Sequence, residues 1–175
     1  MHLYFIRHGE STSNYGELIT GQQDVPLTEK GKEQAHEAGK AIAAQGLKID
    51  QIVSSSLSRA HDTARIIAGE IGYDQNAIEI NDLVIERSFG SLEGKPKEEA
   101  GSLDDEMIQL SGGELDPAIR ARAERFLEPI KGKSGTILVV SHTGFGRRLR
   151  AVVQNIATDH SENFKNADLT DLGEI

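Results

Sequence analysis

Five residues of this chain have side chains suited to moving a phosphoryl group, and each follows a stretch that reads as a strand. Arg7 and His8 follow the apolar run "HLYFI", Arg59 follows "IDQIVSS", Glu86 follows "AIEINDLVI", and His142 ends "GTILVVSH". An arginine offers a rigid fork of N–H donors, pairs with phosphate oxygens two at a time and stays charged at any working pH. A neutral imidazole nitrogen is able to attack phosphorus and hold it covalently, which splits one hard step into two. A carboxylic acid placed opposite protonates the leaving oxygen and then activates water. Taken singly, each residue has an ordinary reading. Arg7 and His8 suit the solvated end of a strand, and Arg59 suits a helix surface. His142 suits a satisfied core histidine. Glu86 suits a surface carboxylate, with Glu93 near enough in sequence to replace it. Their shared position at strand ends is what argues for a site.

The elements that must carry them are legible in outline. His2 to Ile6 is short, β-branched or aromatic, and reads as a buried strand. Thr28 is the expected N-cap of a helix running through an alanine-rich stretch to about Gln45, with Gly46 as its stop. Ile49 to Ser55 reads as a second strand, and Ser56 to Ile71 as a helix ending at Gly72. Ala77 to Ile85 is expected to be a third extended segment. Glu86 to Gly113 is irregular, with short helices inside it. Glu114 to Ile130 has apolar residues at helical spacing. Gly135 to His142 is the clearest strand, followed by a helix over Thr143 to Asn155 and a short edge strand at Asp168 to Leu172.

Strands that alternate with helices predict a mostly parallel sheet covered on both faces, a three-layer α/β/α sandwich. No repeat, low-complexity tract or linker divides the chain, so residues 1–175 read as a single domain. Ligands of such sheets bind outside the carboxyl ends of the strands, where the five residues emerge. The helices holding Arg59 and following His142 are expected to add N-terminal N–H groups and positive dipole ends. Neighbouring strand side chains point to opposite faces, so Arg7 and His8 share a pocket only if the chain turns there. Gly9 is read as the residue that permits the turn.

Composition narrows the function classes. The 175 residues carry a formal charge of −9, with 37% hydrophobic and 27% charged residues and no cysteine. The acidity argues against nucleic acid or an anionic membrane as partner, yet a few converging arginines still make a local anion site. Lacking cysteine, the chain has no disulfide, thiolate metal site or cysteine nucleophile. No stretch reads as a secretion signal or a membrane span, so a cytoplasmic location is expected. A G-x-S-x-G elbow and a phosphate-binding G-x-x-x-x-G-K-[ST] loop are both absent. Two histidines and a carboxylate are able to ligate zinc, but the two arginines beside them repel a metal and no HxxxH-type pair is present. Neither a metal nor a cofactor is expected. His2, His36, His61 and His160 are assigned structural places. Arg147, Arg148 and Arg150 are expected to pair with carboxylates, and Gly112-Gly113-Glu114 to form a turn and helix entry.

The segments "IRHGESTSN", "TGQQDVPLTEKGKEQA", "SSSLSRAHDTA", "ERSFGSLEG" and "VVSHTGFGRRL" resemble the motifs of the histidine phosphatase superfamily, the phosphoglycerate-mutase-like fold. They occur in the family's order and cover nearly the whole chain. The resemblance implies that His8 is the phosphorylated nucleophile and that Arg7, Arg59 and His142 hold the phosphoryl group. It implies that Glu86 gives and takes the proton, and that Asn14, Thr20 and Gly21 touch phosphate or substrate. Two departures stand out. Thr143 occupies a place where the family more often has glycine; its hydroxyl is able to donate to phosphate and narrows the pocket mouth. The segment between Glu86 and His142 is short and lacks the basic stretch by which glycolytic mutases hold the substrate carboxylate. The expected activity is therefore metal-independent hydrolysis of a small phosphorylated metabolite through a phosphohistidine. A cofactor-dependent phosphoglycerate mutase, a phosphoprotein (phosphohistidine) phosphatase and a phosphate-binding module without turnover are the alternatives. Recognition of the alcohol is placed in Arg87 to Gly113; the sequence leaves open which alcohol, and how many subunits assemble.

Overall fold

The computed structural model describes residues 1–98 and 103–175. Along the chain run β1 (His2–Arg7), the single turn α1 (Thr12–Tyr15), α2 (Glu29–Ala44), β2 (Gln51–Ser54), α3 (Ser58–Ile71) and β3 (Glu79–Ile80). There follow α4 (Asp105–Leu110), α5 (Asp116–Leu127), β4 (Thr136–Ser141), α6 (Thr143–Val153) and β5 (Leu169–Glu174). The strands form one sheet in the order β3-β2-β4-β1-β5, parallel except for β5, which runs antiparallel along the β1 edge.

The central strands are apolar at nearly every position because both faces are covered. Leu3, Phe5, Val53, Ile137 and Val139 face α5 and α6, meeting Ile119, Phe126, Phe145 and Leu149. The alternate residues Ile6, Ile52, Leu138 and Val140 face α2 and α3, meeting Ile42, Ala64 and Ile67. This is the expected three-layer α/β/α sandwich with a mostly parallel sheet. No helix among the described residues is long and apolar enough to cross a membrane.

Most expected elements are present with ends moved by up to three residues. Thr28 caps α2 by accepting from Gly31 N–H at 3.0 Å, and Gly72 closes α3 in the left-handed region at φ 70°. The C-terminal strand does lie at an edge, over Leu169–Glu174. The extended segment expected over Ala77 to Ile85 is a correction: only Glu79 and Ile80 pair with β2, flanked by 3-10 turns at Gln75–Ala77 and Asp82–Val84. Asp74 and Asn81 turn the chain there by accepting from the N–H groups of Asn76 and Leu83, local bonds that compete with a strand ladder. Glu86 therefore follows a turn rather than a strand end. The irregular stretch holds α4 and a 3-10 turn at Gly90–Leu92; the part of it at residues 99–102 lies outside the described residues.

Candidate active site

His8 continues the β1–β4 ladder by one bond, its N–H donating to Ser141 at 2.9 Å, and then leaves the sheet. Its ring is buried, and Nδ1 lies 2.7 Å from the Gly9 carbonyl oxygen. A carbonyl only accepts, so Nδ1 carries the proton and Nε2 keeps its lone pair. Arg59 donates from Nε to that Nε2 at 3.3 Å. Burial, with the charges of Arg59 and Arg7 beside it, pushes the His8 imidazole well below its ordinary pKa, which keeps the ring neutral at pH 7. Gly9 proves to matter for a different reason from the one expected. It does not adopt a positive φ; instead a Cβ there would collide with the Gly31 carbonyl at the start of α2. Its N–H donates to Thr63 Oγ1 on α3 at 3.0 Å, so the loop after β1 is wedged between two helices.

Arg59 is 1% exposed and uses three of its five N–H donors on the protein itself. Nη1 and Nη2 each donate at 2.8 Å to carbonyl oxygens of Gln23 and Gly21, which latches the Thr20–Asp24 loop onto α3. Gly21 meets this geometry at φ 52°, with Glu93 packed where a side chain would be. Arg7 donates from Nη1 to the Phe164 carbonyl at 2.9 Å, and its buried Nε has no partner among the described residues. Asn14 accepts at its amide oxygen from both the N–H and the hydroxyl of Ser11, so only its NH2 is left for a ligand.

His142 is the N-cap of α6 and is fully buried, its ring centroid 5.0 Å from that of His8. Nε2 lies 2.9 Å from Ser55 Oγ, while Nδ1 is buried without a partner among the described residues. Burial, then Arg59, His8 and Arg7, push its pKa well down. The Thr143 hydroxyl, one residue on, is likewise buried and unpartnered among the described residues.

Glu86 reaches the same place from below. Arg122 of α5 holds the carbonyls of Leu83 and Ile85 at 2.7 and 3.0 Å, and Ser141 Oγ donates to Val84 at 2.5 Å, which fixes the segment leading to it. The Glu86 carboxylate then accepts from the N–H groups of Arg87 at 2.8 Å and of Gly144 and Phe145 at 3.1 Å each. Two of the α6 N-terminal N–H groups expected to face phosphate are thus held by a carboxylate that suits the positive end of the helix. Asp24 does the same for α3, accepting from Ser58 N–H at 2.8 Å. Glu93 is no substitute for Glu86: it accepts from the N–H groups of Gln22 and Phe89 and organises the loop.

A cavity of about 230 Å³ opens between these elements. Eight of the nine residues read as site candidates line it: Arg7, His8, Asn14, Thr20, Gly21, Arg59, Glu86 and Thr143. His142 is not among the lining residues, though its ring lies 5.0 Å from that of His8. Phe89, Lys97 and Leu103 also line the cavity and lie in the Arg87 to Gly113 segment where alcohol recognition is expected, though none is singled out there. Asn163 lines it too and is missed by the sequence reading, since an isolated asparagine carries no signal of its own. The remaining histidines have structural partners: His2 with Asp171 and Glu174, His36 with Glu70, His61 with Ser54, and His160 with Asp116 and Arg148. Arg148 and Arg150 pair with Asp116 and Glu162 as expected, while Arg147 donates to the Glu162 carbonyl. Among the described residues no group of three or more histidine, aspartate or glutamate side chains is arranged to hold a metal ion.

Comparison with known proteins gives the family of the chain. A mutase of Parvibaculum lavamentivorans, 2,3-bisphosphoglycerate-dependent phosphoglycerate mutase, is 35% identical over 88% of this chain and 79% of its own. The mutase of the same name from Bartonella quintana is 32% identical over 96% of this chain and 87% of its own. Among solved structures, a mutant of phosphoserine phosphatase from Entamoeba histolytica, in complex with phosphoserine, superimposes with a TM-score of 0.81 at 26% identity. That match covers 97% of this chain and 88% of that one. The family model of the histidine phosphatase superfamily (branch 1) matches residues 3–175, so the buried pair of histidines and its arginines sit on a chain that belongs to that superfamily.

Proposed function

We propose that the protein hydrolyses phosphomonoesters of small phosphorylated metabolites through a phosphohistidine at His8, without a metal. The observation that carries this reading is the state of His8: a neutral ring lining the cavity, its Nδ1 proton spent on Gly9, its Nε2 lone pair met only by a 3.3 Å bond from Arg59 that an attack on phosphorus displaces. In the first step Nε2 attacks phosphorus, the ester P–O bond breaks, and the leaving oxygen takes a proton from Glu86. In the second, water loses a proton of its own to the Glu86 carboxylate as it attacks phosphorus; the P–N bond breaks, its electron pair returns to His8 Nε2, and inorganic phosphate departs. Arg7 Nε, His142 Nδ1 and the Thr143 hydroxyl, all unpartnered among the described residues, and the Asn14 NH2 are donors available to phosphoryl oxygens. The Glu86 carboxylate accepts three N–H bonds at its four lone-pair positions, which leaves one position on Oε2 for the proton it exchanges.

The alcohol side of the cavity supports a leaving group with an apolar part against Leu18, Phe89 and Leu103 and a negative group for Lys97. The names of the curated relatives favour a second reading, a bisphosphoglycerate-dependent mutase. Against it, arginines of α5 are committed away from the cavity, Arg122 to Glu114 and Arg120 to Ile156 and Thr158. The deciding experiment is a hydrolysis screen over a panel of phosphorylated metabolites in the presence of chelator, with a mutase assay primed by bisphosphoglycerate run beside it. Turnover that survives chelator and disappears in His8→Ala is expected. Chelator-sensitive turnover, or acid-stable label on a serine, would overturn the route. Phosphoglycerate interconversion faster than hydrolysis assigns the mutase, and phosphate binding without turnover assigns a binding module.

A further inference from the structure

Ser55, just past β2, is fully buried and does not line the cavity, yet its hydroxyl lies 2.9 Å from His142 Nε2. The direction of that bond follows from counting protons. Ser55 Oγ already accepts from Leu57 N–H at 3.2 Å. If His142 also donated to it, the hydroxyl proton would be left in a buried site with no acceptor among the described residues, an arrangement that orphaned polar groups make unfavourable. If instead the hydroxyl donates to Nε2, its one proton is used, and the imidazole carries its own proton on Nδ1. Since His142 is buried beside Arg59, with its pKa pushed far down, the ring holds only one proton, and the side it occupies decides what the ring offers.

We propose that Ser55 is a positioning residue: it fixes His142 as the Nδ1–H tautomer, so that this ring presents a proton donor to phosphoryl oxygens carried by the neighbouring His8. The two rings then hold tautomers set by oxygens behind them, 5.0 Å apart, with different atoms turned to the phosphoryl group. Gly9 makes His8 Nε2 a lone pair, and Ser55 makes His142 Nδ1 a donor. No proton is transferred through His142 in either step. Its purpose rests on the phosphatase reading above, but its tautomer does not.

Long-range 1H–15N correlation of the imidazole groups at neutral pH reads the tautomer without any turnover. His142 is expected to show a pyrrole-type Nδ1 and a pyridine-type Nε2; a pyrrole-type Nε2 overturns the proposal. Ser55→Ala is expected to populate the other tautomer and to weaken inhibition by orthovanadate roughly ten- to a hundredfold, as losing a bond to a charged ligand does. Ser55→Thr keeps a hydroxyl and is expected to restore both. An unchanged tautomer in Ser55→Ala, or a changed tautomer with unaltered vanadate inhibition or binding, overturns it as well. A wild-type protein that hydrolyses no phosphomonoester but shows Nδ1–H on His142 loses the phosphatase reading and keeps the Ser55 assignment.

Discussion

Glu86 is held by three backbone N–H groups, and that commitment shapes what replacing it does. In Glu86→Gln the new NH2 faces N–H donors that the carboxylate satisfied, so about 1–2 kcal/mol of stability is lost in urea unfolding. Its effect on turnover depends on the leaving group. Alkyl phosphates, which need a proton on the departing oxygen, are expected to slow by about 10²–10⁴-fold, and nitrophenyl phosphate by less than about tenfold. Equal slowing of both leaves Glu86 as a cap of α6 and nothing more. At this scale the sequence is readable where a residue type carries its own chemistry, as with Arg7, His8, Arg59 and His142. It is silent on residues that act through a distant partner. Ser55 meets His142 across 87 positions and Thr63 meets Gly9 across 54, and neither serine nor threonine announces such a role in advance.

Helices α2 and α3 and strand β1 meet at Gly9, and the meeting leaves no room for a side chain. Gly9→Ala pushes against the Gly31 carbonyl, which belongs to a capped helix start and cannot swing away like the end of a long side chain. A loss of about 1–3 kcal/mol is expected from such overpacking, measured by urea unfolding. A fall in kcat accompanies it, because the Gly9 carbonyl also sets the His8 tautomer. Full stability in Gly9→Ala would show that the loop yields freely. Sequence periodicity locates the helices and the two long buried strands, since burial on both faces writes an unbroken apolar run. It misreads Ala77 to Ile85 because the edge of a sheet imposes little, and Asp74 and Asn81 are free to turn the chain there.

The whole molecule carries two buried, neutral histidines, and this ties its stability to pH. The folded pKa values of His8 and His142 lie well below the ordinary value near about 6.5 that an unfolded chain regains. From that pH downward the unfolded chain holds more protons than the folded one, so stability is fully present above about pH 6.5 and falls as pH drops. Each ring contributes up to ~1.4 kcal/mol per pH unit in that window. His2 runs the other way: burial lowers its pKa, but bonds to Asp171 and Glu174 outweigh this and raise it, so its small contribution is lost as pH rises. Urea unfolding at pH 7.5 and 5.5 is expected to show a loss of about 2 kcal/mol at the lower pH, with a flatter profile in a His8→Asn, His142→Asn double variant. Equal slopes in both proteins would mean the rings take up protons in the folded state.

Strand β1 is braced by residues that lie far along the chain from it. Arg7 is held by the Phe164 carbonyl, the Arg7 carbonyl accepts from Ala167, and Asn166 donates to the His8 carbonyl from 158 residues away. A ribosome therefore makes His8 long before it makes these braces. Through the interval His8 follows a strand without its outer neighbour, and the carbonyls of Arg7 and His8 gain these bonds only once Asn166 and Ala167 are in place. Order of manufacture thus leaves the turn at His8 unbraced until the segment from Phe164 to Ala167 has emerged.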